Sequence, residues 1–251
     1  MTSSKQILIA TPSLSTISRV DGTVHQTGVF LSEFGYLFEA ARFALEGDMS
    51  AITVASHAGG NITIDPISDN LKDSDDKDAN LLAPAESLIR TALRETMRFS
   101  NIDPDQVSAV LLPGGHAAVN SSFVSCHKLA RIISEVYARG GLIAAVCHGP
   151  AGLLLAKKRD GSPLVSGLQL TGFSRNEEIA VNLHNEVHNE LGGQLEDWLV
   201  GLGAKFSKSA AGNFTPHVVV DKARQLFTGQ NPQSAAALAK QVAFQLRQNL
   251  H

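Results

Sequence analysis

Cys147 followed directly by His148 ends a continuously apolar run, and this pair is the strongest chemical signal in the chain. Residues 140–146 predict a buried parallel strand, and residues 149–156 predict the start of a helix with Pro150 in its first turn. Cys147 would then lie on a sharp strand-to-helix turn of the kind that presents a nucleophile. A helix N-terminus lowers the pKa of a thiol, and the thiolate is the reactive form. We therefore predict a nucleophilic Cys147, with a buried structural cysteine as the alternative.

Three acidic residues could supply the base and the acid that a thiol nucleophile needs. Glu33 lies in an otherwise apolar helical stretch, where desolvation would raise its pKa and suit it to a general base. Periodicity alone also allows Glu33 on a solvated helix face. Glu177 and Glu178 follow a predicted strand and turn, and either could orient an imidazole as the third member of a nucleophile–base–acid set. The alternative for this pair is a helix N-terminal turn, where carboxylates complement the dipole.

A second predicted strand ends in Leu-Pro-Gly-Gly-His at residues 112–116. Ligands of an open parallel sheet bind beyond the carboxyl ends of its strands, so we expect this turn to lie near Cys147. The paired glycines, Gly114 and Gly115, allow backbone N–H groups to approach a ligand. We predict that the N–H groups of Gly115 and His148 bind an oxyanion, with a plain tight turn as the alternative.

Two further histidines could hold a metal ion. His184 and His188 have the i, i+4 spacing of two zinc ligands on one helix face. In the zinc proteases Glu directly follows the first His, whereas Asn185 stands here, and a solvated helix face explains the pair equally well. We therefore predict no metal and no cofactor. Cys126 also precedes a predicted helix, but nothing near it in the sequence suggests chemistry.

Composition limits the class of protein. The 251 residues are 43% hydrophobic, enough for one sizeable α/β domain. A net charge of −3 gives no indication of a nucleic-acid or membrane partner, and no apolar run approaches the ~20 residues of a membrane span. The two cysteines fit a reducing compartment better than a disulfide scaffold. The first residues lead into a strand and not into a secretory signal, so the expected location is the cytoplasm.

Strands and helices alternate along the chain as in a doubly wound sheet. Strands are predicted at residues 5–10, 51–55, 107–112, 142–146, 164–165, 168–171, 218–220 and 226–227. Helices are predicted at residues 28–45, 84–99, 129–138, 194–202 and 234–250. Residues 61–105 exceed a minimal αβ unit and include an acid-rich polar stretch. We predict that they form a small cap or lid within a single domain, 1–251.

These stretches occur in the order found in the ThiJ/PfpI superfamily, and the chain resembles its large-subunit branch of glyoxalase III-like enzymes and holding chaperones. The residues that carry the resemblance are Thr27-Gly28 with Glu33, Ala55-Ser56, Leu112 to His116, Ala144 to Pro150, Thr171 to Ser174 with Glu177-Glu178, and Thr228-Gly229-Gln230-Asn231-Pro232. The cysteine turn and the Thr-Gly-Gln-Asn-Pro stretch are the most specific. The chain departs from the pattern at Ala117, at Asn120 and at Gly192-Gly193, where the branch usually has Gly, Asp and Pro-Phe.

The resemblance implies an α/β fold of the class I glutamine amidotransferase type. This is a flavodoxin-like three-layer sandwich with a mainly parallel sheet, a cysteine nucleophile elbow and a small cap insertion, usually as a homodimer. It also implies roles for site residues: Cys147 as nucleophile, His148 as its partner, Glu33 as the buried glutamate at the thiol, Glu178 (or, one residue earlier, Glu177) as the acid that steadies the histidine, and the backbones of Gly115 and His148 as oxyanion donors.

The implied activity is conversion of methylglyoxal or a related 2-oxoaldehyde to a 2-hydroxy acid such as D-lactate, without glutathione, through a hemithioacetal on Cys147. Repair of glycated amines and thiols would use the same residues. The alternatives are a hydrolase or hydratase acting on another small electrophile, a stress chaperone that holds unfolded clients, and a redox sensor with Cys147 oxidised to a sulfinate. A glutamine amidotransferase is disfavoured because its His-x-Glu partner is missing: two valines follow His217. A lid over the thiol would also exclude the polypeptide substrates of a protease.

Overall fold

The apolar runs of the sequence form the strands of the fold. The computed structural model describes residues 6–19, 21–71, 79–119, 121–183, 193–221 and 225–250. In chain order the strands are β1 Gln6–Thr11, β2 Thr16–Ser18, β3 Val24–Gln26, β4 Ile52–Ser56, β5 Met97–Arg98, β6 Val107–Leu112, β7 Leu142–Val146, β8 Gln169–Leu170, β9 Lys205–Phe206, β10 Val218–Asp221 and β11 Leu226–Gly229. The helices are α1 Leu31–Ala44, α2 Glu86–Ala92, α3 Ser121–Val124, α4 His127–Ala138, α5 Arg175–Ala180, α6 Leu195–Gly201 and α7 Ala235–Leu250.

Seven strands form the central sheet, in the order β10-β11-β7-β6-β1-β4-β5. Every neighbouring pair is parallel except β10 and β11. The chain continues from β1 to β4 on one side and places β6 on the other, so the strand order reverses beside β1. Ligands of doubly wound sheets bind beyond the carboxyl ends of strands at such a reversal. The predicted mainly parallel α/β sheet is confirmed.

Both faces of the sheet are buried, as the continuously apolar strands predict. In β1, Ile7 and Ile9 pack into the layer that contains α1 and α7, whereas Leu8 and Ala10 pack into the layer that contains α4. Burial of one such aliphatic side chain contributes about 1.5–3 kcal/mol. A slip of one residue would exchange the two faces, so this alternation fixes the register. The predicted three-layer sandwich is confirmed.

Several local predictions were wrong, each for a tertiary reason. The helix predicted to begin at residue 149 is present with Pro150 in its first turn, but it is a short 3-10 helix, Gly149–Leu153. Residues 164–165 form no strand, and β8 pairs with β9 in a separate two-stranded sheet. The central sheet has no place for β8 beside β7, because β11 pairs with that edge of β7.

The described part of the 61–105 insertion has two locations. Asp65 and Ile67 border a cavity at the carboxyl edge of the sheet. α2 packs on α1, and β5 extends the central sheet beyond β4. α2 ends at Ala92, earlier than the helix predicted to residue 99, because the chain turns there to enter β5. A lid role for this insertion stays a prediction.

No helix in the described ranges combines the length and the apolar character that a membrane crossing requires.

Candidate active site

Cys147 lies immediately after β7, at a backbone φ of +57°. This left-handed conformation costs an L-residue roughly 1–2 kcal/mol, so the surrounding structure must hold it. Both peptide groups of Cys147 are held: its N–H donates to the Gly229 carbonyl (2.9 Å), and its carbonyl accepts from the N–H of Phe173 (2.8 Å). The side chain is 3% exposed and borders the cavity. The predicted sharp turn is therefore present, with the thiol facing a space that a small ligand could enter.

His148 links this thiol to Glu178. The Sγ atom of Cys147 lies 3.4 Å from Nδ1 of His148, and Nε2 of His148 lies 2.6 Å from Oε1 of Glu178. His148 is completely buried, and Glu178 is nearly so. The three side chains thus form a continuous line from sulfur through imidazole to carboxylate, the arrangement predicted for a nucleophile, its partner and the acid that orients it.

The structure distinguishes the two adjacent glutamates. Ser174 caps α5, and Glu177 completes the capping box by accepting from the Ser174 backbone N–H (3.0 Å) and hydroxyl (2.8 Å). Its other oxygen accepts from the Asn231 amide at 2.8 Å and from the Phe214 N–H at 2.9 Å. Glu177 therefore holds α5 in place, and Glu178 is the residue directed at His148. Asn231 belongs to the Thr-Gly-Gln-Asn-Pro stretch, so this hydrogen bond connects that stretch to the helix that carries Glu178.

Glu33 lies on the other side of the thiol, in the first turn of α1. Its side chain is fully buried, its Oε2 accepts from the Gly114 N–H at 2.7 Å, and its carboxyl group is hydrogen-bonded to the Cys147 thiol. The solvated-face alternative is wrong because the Glu33 side chain is covered by the Gly114 loop and by Cys147. A carboxylate and a thiol in this contact are suited to share a proton.

The paired glycines bring backbone N–H groups to the same point. The Gly115 N–H donates a hydrogen bond to the Cys147 sulfur. A Cβ atom on Gly114 would lie 2.6 Å from the backbone nitrogen of His148, and one on Gly115 would lie 2.1 Å from the Gly28 carbonyl oxygen. These positions require glycine because other backbone segments approach them closely.

We expect Gly115→Ala to destabilise the fold severely. The substitution combines the strain of φ +106° with a contact that requires movement of the Gly28 backbone. Gly140→Ala is a matched control, because Gly140 also has a positive φ (+79°) but nothing within 4 Å of its Cβ position. The control should lose about 1–2 kcal/mol of unfolding free energy from strain alone, and Gly115→Ala should lose several more. Urea denaturation checks both; equal losses would contradict the close-approach argument.

The ionisation of Cys147 differs from the prediction. Burial raises the pKa of the thiol well above its ordinary value, and the charge of Glu33 and its hydrogen bond raise it further, against a smaller lowering by the Gly115 N–H. The expected lowering of the thiol pKa by a helix N-terminus was wrong, because the 3-10 helix that follows is short and burial, followed by the charge of Glu33, outweighs it. Cys147 therefore keeps its proton at neutral pH until a base removes it.

The ionisation of His148 and Glu178 fixes the direction of the hydrogen bonds. Burial lowers the pKa of His148, and the neighbouring His116 lowers it further. Burial opposes ionisation of Glu178, but His148 and His116 together hold the pKa of this carboxyl well below its usual range. A neutral His148 therefore donates from Nε2 to an ionised Glu178. Its Nδ1 is left as an acceptor that faces the thiol.

His116, Phe173 and Phe214 are site residues for which the sequence analysis gave no side-chain role. Nε2 of His116 lies 3.1 Å from the second oxygen of Glu178, and the Phe173 ring packs against the His148 ring with centroids 4.6 Å apart. Phe214 continues this wall at 6.3 Å from Phe173. The cavity that they line measures about 510 Å³ and also contains Cys147. One sequence feature pointed to His116 as a site residue: it follows the end of β6, the strand that pairs with β7.

Within the described ranges, one group of side chains offers metal-ligand atoms close together. Nitrogen and oxygen atoms of His116, His148 and Glu178 all lie within 4.8 Å of one another. The same atoms are at hydrogen-bonding distances, and the carboxylate acceptor matches the two imidazole donors. This group therefore fits a proton-transfer network as it stands.

Some sequence predictions lie outside the described residues. They concern His184 and His188 as possible zinc ligands and the departures at Asn120 and Gly192. Ala117, the other departure after the paired glycines, is fully buried beside the site loop. Gly193 has a positive φ of +74°.

Known proteins are similar to this chain in sequence and in fold. A probable glutathione-independent glyoxalase of Schizosaccharomyces pombe is 35% identical over 142 residues, which are 55% of this chain and 53% of that protein. A glutathione-independent glyoxalase of Saccharomyces cerevisiae is 28% identical over 94% of this chain and 95% of its own. The crystal structure of glyoxalase III from Candida albicans superimposes with a TM-score of 0.77 at 26% identity, over 96% of each chain. Because the sequence model of the DJ-1/PfpI family matches residues 48–245, most of the chain, this protein belongs to the DJ-1/PfpI family.

Proposed function

We propose that this protein is a glutathione-independent glyoxalase of the glyoxalase III type, which converts methylglyoxal or a related 2-oxoaldehyde to a 2-hydroxy acid. The observation that carries the proposal is the thiol of Cys147 between two acid–base groups, His148 at 3.4 Å and the hydrogen-bonded Glu33. The glyoxalase names of the relatives in Schizosaccharomyces pombe, Saccharomyces cerevisiae and Candida albicans support the same activity. The substrate is a small molecule, in keeping with the enclosed position of the thiol.

The first step is addition of sulfur to the aldehyde carbon, C1. His148 Nδ1 or Glu33 accepts the thiol proton, and the C1 oxygen receives a proton as the hemithioacetal forms. The Gly115 N–H, which lies at the sulfur, is suited to donate to the oxyanion that develops there, together with the N–H of His148. The pKa of Cys147, raised by burial and Glu33, keeps the thiol protonated until substrate displaces these contacts.

The second step moves a proton from C1 to C2. Glu33 and His148 both contact the sulfur, so one of them can remove the C1 proton to give an enediol and return it to C2. The product is a thioester of the 2-hydroxy acid on Cys147, which water hydrolyses to release the acid and restore the thiol. C1 is oxidised and C2 is reduced within one molecule, so the sequence of steps balances without a cofactor.

The decisive experiment is an assay for D-lactate formed from methylglyoxal by the purified chain without added glutathione. We expect turnover that increases linearly with protein concentration. Absence of turnover, in a preparation whose folding is verified by a cooperative thermal transition, would overturn the proposal and favour a hydrolase or hydratase acting on another electrophile.

We expect the chain to accept 2-oxoaldehydes much larger than methylglyoxal. Cavities of about 300–1,000 Å³ hold ligands far larger than methylglyoxal, and this one measures about 510 Å³. Phe173 and Phe214 form an aromatic wall that favours stacking with an aryl group. Phenylglyoxal should therefore be turned over with a KM at least about twofold below that of methylglyoxal, since an aromatic ring pair contributes about 0.5–1.5 kcal/mol.

Phe214→Ala should remove most of this preference and leave the kcat for methylglyoxal unchanged. Phe244→Ala is the matched control, because Phe244 is exposed on α7 and does not border the cavity. Steady-state kinetics with both substrates measure the difference. An unchanged preference in Phe214→Ala would show that the aryl group binds elsewhere.

The finer expectations from the sequence stay predictions. They are a homodimer, a cytoplasmic location, a deglycase activity and the holding of unfolded client proteins. Size-exclusion chromatography with light scattering measures the oligomeric state directly. Holding of a heat-denatured client by a Cys147→Ser variant would separate a chaperone role from catalysis.

A further inference from the structure

Glu178 contacts two imidazoles, those of His148 and His116. The proposed mechanism uses only His148. Its Oε1 lies 2.6 Å from Nε2 of His148, and its Oε2 lies 3.1 Å from Nε2 of His116. The two rings have centroids 4.2 Å apart and border the same cavity as Cys147. An ionised carboxylate only accepts hydrogen bonds, so each imidazole presents a protonated Nε2 to it. Each ring therefore keeps Nδ1 for a different partner.

We propose that His116 is a second general acid–base of the reaction, which gives a proton to the C2 oxygen of the bound 2-oxoaldehyde and takes one from the C1 oxygen. The inference rests on the proposed glyoxalase function and extends it. His148 and Glu33 then act on sulfur and carbon, and His116 acts on the two oxygens.

The position of His116 fits this role. It directly follows Gly115, whose N–H is bonded to the Cys147 sulfur, so it is adjacent in the chain to the point where the oxyanion develops. Its side chain keeps 15% exposure at the cavity, whereas His148 has none. Of the two imidazoles, His116 is thus the one that a ligand can contact at a ring edge.

Glu178 can balance a positive charge on His116 during proton transfer, because its Oε2 lies 3.1 Å from Nε2 of that ring. Burial disfavours the charged form of His148, and a charge on His116 disfavours it further. His148 therefore stays neutral, and its Nδ1 stays available to the thiol. Besides His148, whose ring centroid is 4.2 Å away, the rings packed against His116 are His25, at 6.2 Å, and Phe173, at 5.8 Å. Among the residues that the structure describes, Glu178 is thus the one carboxylate in contact with the His116 ring.

The proton transfers balance with this assignment. The base takes the C1 proton of the hemithioacetal, the C1–H electrons form the C1=C2 bond, and the C2 oxygen takes a proton from His116. The enediol then receives the carbon-bound proton at C2, and His116 recovers a proton from the C1 hydroxyl as the thioester carbonyl forms. The base and His116 return to their starting states, and the two oxygens exchange a proton through one residue.

The test compares His116→Gln with wild type in the D-lactate assay. A glutamine amide can still donate to Glu178 and hold it, but it cannot transfer a proton. We expect kcat to fall about 10²-fold or more and KM to stay within about threefold. The solvent deuterium isotope effect on kcat should increase, because proton transfer to oxygen becomes rate-limiting. His116→Ala should regain activity on addition of imidazole. His127→Gln, a change at an exposed histidine at the start of α4 that does not border the cavity, should behave as wild type.

A second readout separates acid–base chemistry from positioning. The rate of Cys147 alkylation by iodoacetamide reports the thiol with its His148 and Glu178 partners, and we expect it to be unchanged in His116→Gln. A variant that keeps more than about one third of the wild-type kcat would overturn the inference alone. So would a fall in kcat that is matched by an altered alkylation rate, since His116 would then act through the thiol. A folded wild type that forms no lactate overturns the proposed function, and this inference with it.

Discussion

Replacing Cys147 with serine should lower kcat/KM for methylglyoxal by on the order of 10³-fold or more, with the fold intact. A serine hydroxyl is a far weaker nucleophile than a thiolate, and the nearby bases are too weak to ionise it. The oxygen is also smaller than sulfur, so the contacts to Gly115 and His148 lengthen. The substitution removes no cross-link, because both cysteines are free, and it leaves the main-chain bonds that hold the turn. The thermal transition should therefore shift by only a few degrees.

Cys126→Ser is the matched control for this prediction. Cys126 is also buried and lies near an imidazole, with its sulfur 3.7 Å from Nδ1 of His57. It has no place in the cavity that contains Cys147, so turnover in this variant should stay within about twofold of wild type. Equal losses in the two variants would indicate a general sensitivity of the fold. Full activity of Cys147→Ser would exclude the hemithioacetal mechanism.

The part of the site that could be predicted is the part determined by local sequence. Cys147 and His148 follow an apolar strand, and a doubly wound sheet places such strand ends at the ligand edge. The paired glycines end the neighbouring strand and so come to the same edge. These inferences need the chain direction and the strand pairing, both of which the apolar runs indicate.

Glu33 shows where periodicity is insufficient. A helix with one solvated face would expose a carboxylate between apolar positions, and that was the simpler interpretation of the sequence. α1 is instead covered by the sheet on one side and by α7 and α2 on others, so nearly its whole first turn is buried. The Glu33 carboxyl itself contacts Gly114 and Cys147, so its burial depends on loops that are distant in the chain.

The sequence alone could have distinguished the roles of Glu177 and Glu178. Ser174 stands three residues before Glu177, the spacing of a capping box, which assigns Glu177 to the helix cap. Neighbouring helical residues point about 100° apart, so Glu178 is then free to face the histidine. The raised pKa of Cys147 could not be predicted from the sequence, because it depends on burial and on the approach of Glu33 from a distant helix.

Glu33→Gln should have two opposite effects on Cys147. Turnover of methylglyoxal should fall by about 10²–10⁴-fold, the loss typical of a missing acid–base group. Alkylation of Cys147 by iodoacetamide at neutral pH should become several-fold faster, because removing the charge of Glu33 lowers the pKa of the thiol. The glutamine amide can still accept from the thiol or donate to the thiolate, and the Gly114 N–H keeps an oxygen acceptor.

The sign of this effect follows from the direction of the thiol pKa shift. In the wild type the pKa of Cys147 is raised, first by burial and then by Glu33, so the thiolate fraction at neutral pH is small and grows as the pH increases. Glu33→Gln removes the second cause, and the rise in alkylation rate should begin at lower pH. Mass spectrometry of the modified peptide separates Cys147 from Cys126.

Glu39→Gln is the control for the loss of a carboxylate on α1. Glu39 is paired with Arg42 at the protein surface, away from the cavity, and should change neither rate. If alkylation and turnover both fell in Glu33→Gln, Glu33 would be needed to hold the thiol in position and not to exchange a proton with it. A buried acid that slows alkylation of the thiol yet speeds turnover of methylglyoxal acts as a group that holds the thiol proton and returns it to the substrate. The alkylation rate and the turnover rate together separate that role from support of the fold.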